Sequence, residues 1–325
     1  MICLGCYKKV HKNEYCLSCR KKMFQGKRIS TILDFDKPKA DNISIYNEYT
    51  KRLSISGVQL KYSLCLSGNK LFLSEKNAQY ILKPIPIEDH LMLMNDAPEN
   101  EHLTMQIASQ LFNLNAALNA LIYFKDGTPA YITKRFDVKL DGTKYIQEDF
   151  AQITNRTKET HGASYKYDGS YLEIGSLLKQ NIPASMVALE NFFKTVLFNY
   201  IFSNGDAHLK NFSLIRNDFG EMEISPSYDL MSTIIHTPQE SDTALILFEK
   251  DYESEYYATN GYYGKMEFVT FAKKLGIAEI RYLRIINEFI LKQVQVSNFI
   301  SQGLLSNAAK KIYLQNVETR IKRLL

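Results

Sequence analysis

Asp206 and Asn211 stand five residues apart in the stretch Ser-Asn-Gly-Asp-Ala-His-Leu-Lys-Asn-Phe-Ser at 203–213, directly after a long apolar helix pattern. That spacing suits phosphoryl transfer. The aspartate can accept or orient the proton of an attacking hydroxyl, while the asparagine amide oxygen one turn on can hold magnesium against nucleotide phosphates. Such a site needs a second metal-binding carboxylate. Asp229, in Ser225-Pro226-Ser227-Tyr228-Asp229, follows two strand-like runs joined by Asn217-Asp218-Phe219-Gly220, a hairpin signal that would bring it back beside Asn211. One amide and one carboxylate make a reasonable pair of protein ligands for a hard cation. Alone, each motif is ordinary turn chemistry; together and in order they point to one site.

The phosphate-holding half should lie upstream. Residues 51–61, Lys-Arg-Leu-Ser-Ile-Ser-Gly-Val-Gln-Leu-Lys, precede a strand-like run but carry a single glycine, Gly57, few for a loop whose amides must approach an oxyanion. The next strand, Gln79-Tyr80-Ile81-Leu82-Lys83-Pro84, ends in a lysine that could hold phosphate oxygens, or could simply be a solvated strand end. Pro98-Glu99-Asn100-Glu101 then opens an amphipathic helix with Leu103, Ile107, Leu111 and Leu114 at helical spacing. Lysine on a strand and glutamate on the following helix reproduce the ion pair that positions phosphates in kinases, with Glu101 as the partner. Glutamate is also favoured at a helix start by the dipole.

In these motifs, together with Lys134-Arg135-Phe136-Asp137 and the run from Gln147 to Gln152, the chain resembles the HipA-family serine/threonine kinase toxins. Within that family it is most similar to HipT, the shortened kinase of three-component toxin–antitoxin systems. The resemblance runs from about residue 50 to the C-terminus. It implies nucleotide contacts from Ser56, Gly57, Val58, Gln59, Leu60 and Lys61, from Lys83, and from the hinge Lys134, Arg135 and Phe136. His208, Leu209, Lys210, Asn211, Tyr228 and Asp229 complete the implied ATP site, with Asp206 as catalytic base and magnesium on Asn211 and Asp229. It also implies autophosphorylation at Ser54 and Ser56, an off switch in which added negative charge is repelled from ATP and captured by Lys51, Arg52 or Lys61. Family members often carry an acid where this chain has Lys134. The implied substrate is a protein serine, on an aminoacyl-tRNA synthetase such as the tryptophanyl enzyme. The implied partners are a HipB-like helix-turn-helix antitoxin and a separate HipS-like protein that supplies the N-terminal subdomain.

Cys3-Leu-Gly-Cys6 and Cys16-Leu-Ser-Cys19 are two knuckles separated by nine residues. In a chain without a secretory signal they argue for structural zinc rather than disulfides, with reduced metal-free thiols as the rival. Zinc would stand in for a core that a segment this short cannot build. His11 could replace one thiol. Lys8, Lys9, Lys12, Arg20, Lys21, Lys22, Lys27 and Arg28 cluster nearby, which would suit nucleic acid but is common in small ribbons that bind none. Cys65 reads as buried packing.

The 325 residues, 45% hydrophobic and 23% charged, suffice for two cores. The expected fold is α+β and two-lobed, of protein-kinase type. A four-cysteine zinc ribbon would occupy 1–29, a β-rich N-lobe with the nucleotide loop 30–137, and a mostly helical C-lobe with the catalytic and metal-binding loops 138–325. Residues 153–183, rich in Asn, Thr, Ser and Gly, read as a mobile or substrate-facing connection, and 187–202 as a helix buried all round. There is no bilayer-spanning run and no signal peptide, so the cytoplasm is expected. A formal charge of +5 does not demand a nucleic-acid partner, and direct binding is not expected. Two rivals remain open, a small-molecule phosphotransferase of the antibiotic-kinase type and a pseudokinase that only binds partners.

Overall fold

Tyr62–Ser67 (β1) is covered along most of its length, with Tyr62, Ser63, Leu64 and Leu66 buried and only Ser67 exposed. It pairs with Lys70–Leu73 (β2) and with Tyr80–Pro84 (β3), and Asn119–Tyr123 (β4) and Pro129–Lys134 (β5) extend the sheet. The order is β2-β1-β3-β5-β4, antiparallel throughout. A computed structural model describes residues 1–12, 14–38, 60–74, 76–86, 91–139, 141–249 and 252–325. These form two units, one of Met1–Gln106, Ala117–Lys144 and Gln302–Ala309, the other of Ile107–Ala116, Tyr145–Ser301 and Lys310–Leu325.

In the first unit the cysteine segment is built into the sheet. Leu4, Tyr15, Met23 and Phe24 share one apolar cluster with Tyr62, Leu64, Tyr80, Leu82 and Leu121. The Tyr15 hydroxyl donates to the Leu121 carbonyl at 2.7 Å, and the Tyr80 hydroxyl to that of Met23 at 2.6 Å. The outer edge of β4 is also occupied. The Leu121 amide donates to Leu4, the Leu33 amide to Tyr123 and the Tyr123 amide to Thr31. A metal would therefore pin a segment that already has a core rather than replace one.

The helix Ala97–Gln110 departs from simple amphipathicity. Residues 96–108 are all buried, Glu99, Asn100, Glu101, His102, Thr104 and Gln106 among them. Polar groups are tolerated there because they find partners. His102 Nδ1 lies 2.7 Å from Asn119 Oδ1, which also accepts from Gln106 Nε2 at 3.1 Å. Cys65 on β1 is half-buried rather than buried.

The second unit carries a three-stranded sheet of Gln147–Asp149 (β6), Ser213–Arg216 (β7) and Met222–Ile224 (β8). Helices make up most of the rest. Ser185–Ile201 buries Leu189, Phe192, Phe193, Val196, Leu197, Phe198, Tyr200 and Ile201, so it is packed nearly all round. The stretch expected to be a mobile connection is structured instead. Tyr171–Asn181 is a helix capped by the Ser170 hydroxyl, which accepts from the Glu173 amide, and it buries Leu172, Ile174 and Leu178. Its Gly175 lets Lys265–Leu275 approach, since a Cβ there would stand 2.2 Å from Leu275 Cδ2. The fold is thus α+β, sheet-rich in one unit and mostly helical in the other. Among the described residues, no helix is long and apolar enough to cross a membrane.

Candidate active site

Lys83 sits on β3 opposite Tyr131 of β5, a central position that takes its stem out of water. Its ammonium lies 2.6 Å from Glu101 Oε1, with side-chain exposures of 4% and 1%. A buried cation without an anion would be severely penalised, so each group requires the other. The arrangement fixes Nζ at one point, as a phosphate-binding lysine must be fixed.

Lys134 Nζ donates to the Lys22 carbonyl at 3.3 Å, and burial lowers its pKa. Arg135 and Asp137 form a two-pronged pair, with Nε donating to Oδ1 at 2.8 Å and Nη2 reaching Oδ2. Lys134 thus bonds a distant part of the first unit, while Arg135 is held by its own segment. Phe136 is half-buried, as are Leu60 and Lys61 just before β1. Ser54, Ser56, Gly57, Val58 and Gln59, with Lys51 and Arg52, lie outside the described residues.

In the second unit the loop after Ser185–Ile201 is held by its own side chains. Asn204 Oδ1 accepts from the Asp206 amide at 3.3 Å, and Asn204 Nδ2 donates to Asn199 Oδ1 at 3.0 Å and to the Asp229 carbonyl at 3.4 Å. One asparagine therefore ties the residue at 206 to the one at 229. The Gly205 amide donates to Thr233 Oγ1 at 2.7 Å, and that hydroxyl donates to Glu240 Oε1 at 2.6 Å. Burial pushes the Glu240 carboxyl up to about 7, and the nearby Asp206 charge adds to this.

Asp206 keeps 48% of its side chain exposed, so an acceptor could reach it. Tyr167 donates its hydroxyl to Asp206 Oδ1 at 2.5 Å, and Lys166 Nζ stands 3.7 Å from the same oxygen. His208 Nε2 is 3.8 Å away, and burial lowers its pKa to about 4, so the ring is neutral near pH 7. Lys166 and Tyr167 belong to the stretch read as a mobile or substrate-facing connection, whereas Thr233 and Glu240 carry no local motif; the approach of all four to residues 205–206 is a product of tertiary packing.

The Asn211 side-chain oxygen accepts from the His208 amide at 3.2 Å, which aims the amide group. The β7–β8 hairpin returns the chain so that the Tyr228 hydroxyl bonds both Ser213 Oγ at 2.5 Å and the Lys210 carbonyl at 2.8 Å. Lys210 Nζ pairs with Asp149 Oδ2 at 2.7 Å, and Leu209 is fully buried. Asp229 follows Tyr228 with φ +56°, a left-handed conformation tolerated by aspartate and found at functional sites where the surroundings enforce it. Asn211 and Asp229 offer an amide and a carboxylate oxygen, a donor set that fits magnesium.

The four N-terminal thiols converge. Sγ of Cys3, Cys6, Cys16 and Cys19 all lie within 4.8 Å of one another, and those of Cys6 and Cys16 are 3.7 Å apart. Tetrahedral zinc with bonds of about 2.3 Å requires sulfurs about 3.8 Å apart, so the set fits that ion. The Cys19 and Cys6 thiols, with the Cys16 and Gly5 amides, aim at Cys3 and hold its pKa far below the usual thiol range. A thiolate is the form a metal takes.

Residues 53–296 match the family described as HipA-like C-terminal domain. A candidate kinase of Haemophilus influenzae is 25% identical over 289 residues, covering 81% of this chain and 79% of that protein. The candidate kinase Y4dM of Sinorhizobium fredii is 33% identical over 223 residues, 61% of this chain and 49% of the relative. The chain thus spans about half the length of Y4dM. Among solved structures it is similar to HipA of the Shewanella oneidensis MR-1 toxin–antitoxin system, solved with HipB and its operator DNA. The TM-score is 0.63 at 20% identity, over 89% of this chain and 71% of that one. Similarity extends to CtkA, a proinflammatory kinase of Helicobacter pylori, with a TM-score of 0.53 at 14% identity over 82% of this chain and 90% of CtkA. At these identities the structural likeness is one of fold.

Proposed function

Because the chain belongs to the HipA-like C-terminal domain family, matched over residues 53–296, we propose that it is an ATP-dependent serine/threonine protein kinase acting as the toxin of a toxin–antitoxin system. The strongest support is the setting of Asp206, half-exposed, hydrogen-bonded to a hydroxyl, and linked through Asn204 to Asp229. Lys83, held by Glu101, neutralises phosphate oxygens. Asn211 and Asp229 hold magnesium, which compensates the phosphate charge. Asp206 takes the proton of the attacking serine hydroxyl, and Lys166, 3.7 Å from its Oδ1, helps to hold the carboxylate in place.

The finer assignments follow the HipT-like resemblance. The residues from Ser56 to Lys61 and the segment Lys134, Arg135 and Phe136 contact ATP, and Ser54 and Ser56 are autophosphorylated. The substrate is an aminoacyl-tRNA synthetase, the tryptophanyl enzyme being the first to test. The partners are a HipB-like antitoxin and a HipS-like small protein; the solved HipA relative was found with HipB and operator DNA. Zinc in the four-thiol site is structural, and the setting is the cytoplasm.

The test is transfer of labelled phosphate from magnesium ATP to protein, with the phosphoproteome recorded after induction in growing cells. Asp206→Asn should abolish labelling and growth arrest while still binding ATP. Labelling of small-molecule hydroxyls in place of protein would reassign the enzyme as an antibiotic-type phosphotransferase, and ATP binding without any transfer would make it a pseudokinase.

A further inference from the structure

Tyr167 does more than touch Asp206. Its ring stands edge-on to the buried His208 ring, centroids 5.2 Å apart, and also lines a cavity of about 460 Å³ whose other walls include Asp242, Ile246, Tyr257 and Tyr263. One aromatic side chain is therefore shared between the half-exposed carboxylate and this cavity. Its hydroxyl, 2.5 Å from Asp206 Oδ1, stands where the hydroxyl of a phosphate acceptor must stand to give up its proton.

The cavity has a definite chemical character. Asp242 is the sole ionisable acid or base among the described lining residues other than tyrosine, and its carboxylate is matched by Arg320 at 2.7 Å and Arg323 at 2.6 Å. Tyr257 and Tyr263 pack with centroids 4.6 Å apart. What remains is a pocket of three tyrosines and the Ala244–Ile246 run beside the hydroxyls of Ser241 and Thr243, without net negative charge, suited to an uncharged side chain that is mainly apolar. At its rim Tyr167 and Ile246 are 40% and 38% exposed. The cavity is therefore open to solvent on that side, as a site that takes one side chain of a longer chain must be.

We propose that this cavity is the acceptor site of the kinase, taking an apolar or aromatic side chain that flanks the target serine of a protein while the serine hydroxyl displaces Tyr167 from Asp206. The inference rests on Asp206 being the proton acceptor, as proposed above. In the step itself the serine Oγ forms a bond to the γ-phosphorus and the bond from that phosphorus to the β,γ-bridging oxygen breaks. The serine proton passes to Asp206, and the nucleoside diphosphate leaves with the bridging oxygen. Filling the cavity moves the Tyr167 ring, so recognition of the flanking residue and release of the base become one event.

The experiment uses the full chain, magnesium ATP and a positional-scanning peptide library with a fixed central serine. One flanking position should favour Leu, Ile, Phe, Tyr or Met over Asp and Lys by about tenfold, the discrimination an apolar pocket provides. Ile246→Ser, at the exposed rim, and Tyr257→Ala, in the wall beside Tyr263, should each flatten that preference and raise the KM for the best peptide by about tenfold, the loss falling on the peptide rather than on ATP. Tyr167→Phe should lower the peptide KM, because the displaced hydrogen bond no longer competes. Peptide labelling with no positional preference, or with the preference intact in both rim and wall variants, would overturn the acceptor site alone. Failure to transfer phosphate to any acceptor would overturn the kinase reading with it.

Discussion

Lys83 Nζ lies 2.6 Å from Glu101 Oε1, and the two side chains are almost wholly removed from water. The strand and the helix that carry them are joined by this pair at one point. Lys83→Met leaves the Glu101 charge buried beside a neutral side chain, so it should cost about 3–5 kcal/mol in urea denaturation. The double variant Lys83→Met, Glu101→Leu should recover most of that stability yet remain inactive. Equal stability of wild type and the single variant would mean that the pair is not formed in solution.

The four thiols give a prediction about metal. Purified protein should contain about one zinc per chain. Cys16→Ser should lower the melting temperature by about 5–10 °C, whereas Cys65→Ser on β1 should move it by no more than about 3 °C. Full stability after exhaustive chelation would leave the cluster as reduced cysteines.

Glu240 supplies a pH dependence. Burial raises its pKa from 4.5 to about 7 against the opposing effects of the Thr233 hydroxyl, the Gly205 amide and Arg320, with the Asp206 charge acting in the same direction as burial. A carboxyl whose pKa is raised on folding favours the native state below about pH 4.5, and that contribution is lost as pH climbs through about 7. Glu240→Gln keeps an acceptor for Thr233 and removes the titration. Its stability relative to wild type should therefore rise by on the order of 3 kcal/mol between about pH 4 and about pH 8, read from paired urea curves. A constant difference would show that Glu240 is ionised throughout.

Two glycines should respond in opposite ways. At Gly175 an added Cβ meets Leu275 Cδ2 at 2.2 Å, far from Asp206 in the chain. Gly175→Ala should cost about 1–3 kcal/mol of stability and leave specific activity intact. At Gly205 the Cβ would meet the Glu240 carboxyl carbon at 2.6 Å and the Ser241 carbonyl oxygen at 3.0 Å, pushing directly on the residue before Asp206. Gly205→Ala should lower kcat about a hundredfold, because a shift of about 1 Å in a reacting group costs that much. Unimpaired kcat in Gly205→Ala would separate the loop from the chemistry.

Much of the fold was legible in the sequence. The strand read at Gln79–Pro84 lies within a residue of β3, because a short apolar run bounded by turn residues is a local signal. The apolar run 187–202 likewise became Ser185–Ile201. Misreading began where composition outweighed pattern. Ser170 followed by Leu172, Ile174 and Leu178 carries a cap and a helical stripe, but the surrounding Thr, Ser, Gly and Tyr suggested a loop. Burial of both faces of Ala97–Gln110 depended on partners such as Asn119, distant in sequence. The same holds for the candidate site. The spacing of Asp206 and Asn211 is local, whereas Tyr167 and Glu240 reach the loop from 39 and 34 residues away and leave no trace in any short window.

The hydrogen bonds that Leu4, Thr31 and Leu33 make along the outer side of β4 bear on solubility. An unpaired strand of the composition Asn-Ala-Leu-Ile-Tyr is a template for other chains, and uncovered it invites fibril-like association. Leu4 lies between the first two thiols, so whatever draws those sulfurs together also keeps this rim covered. Oxidation or metal starvation would then be expressed first as clumping of newly made chains, and only secondarily as lost catalysis.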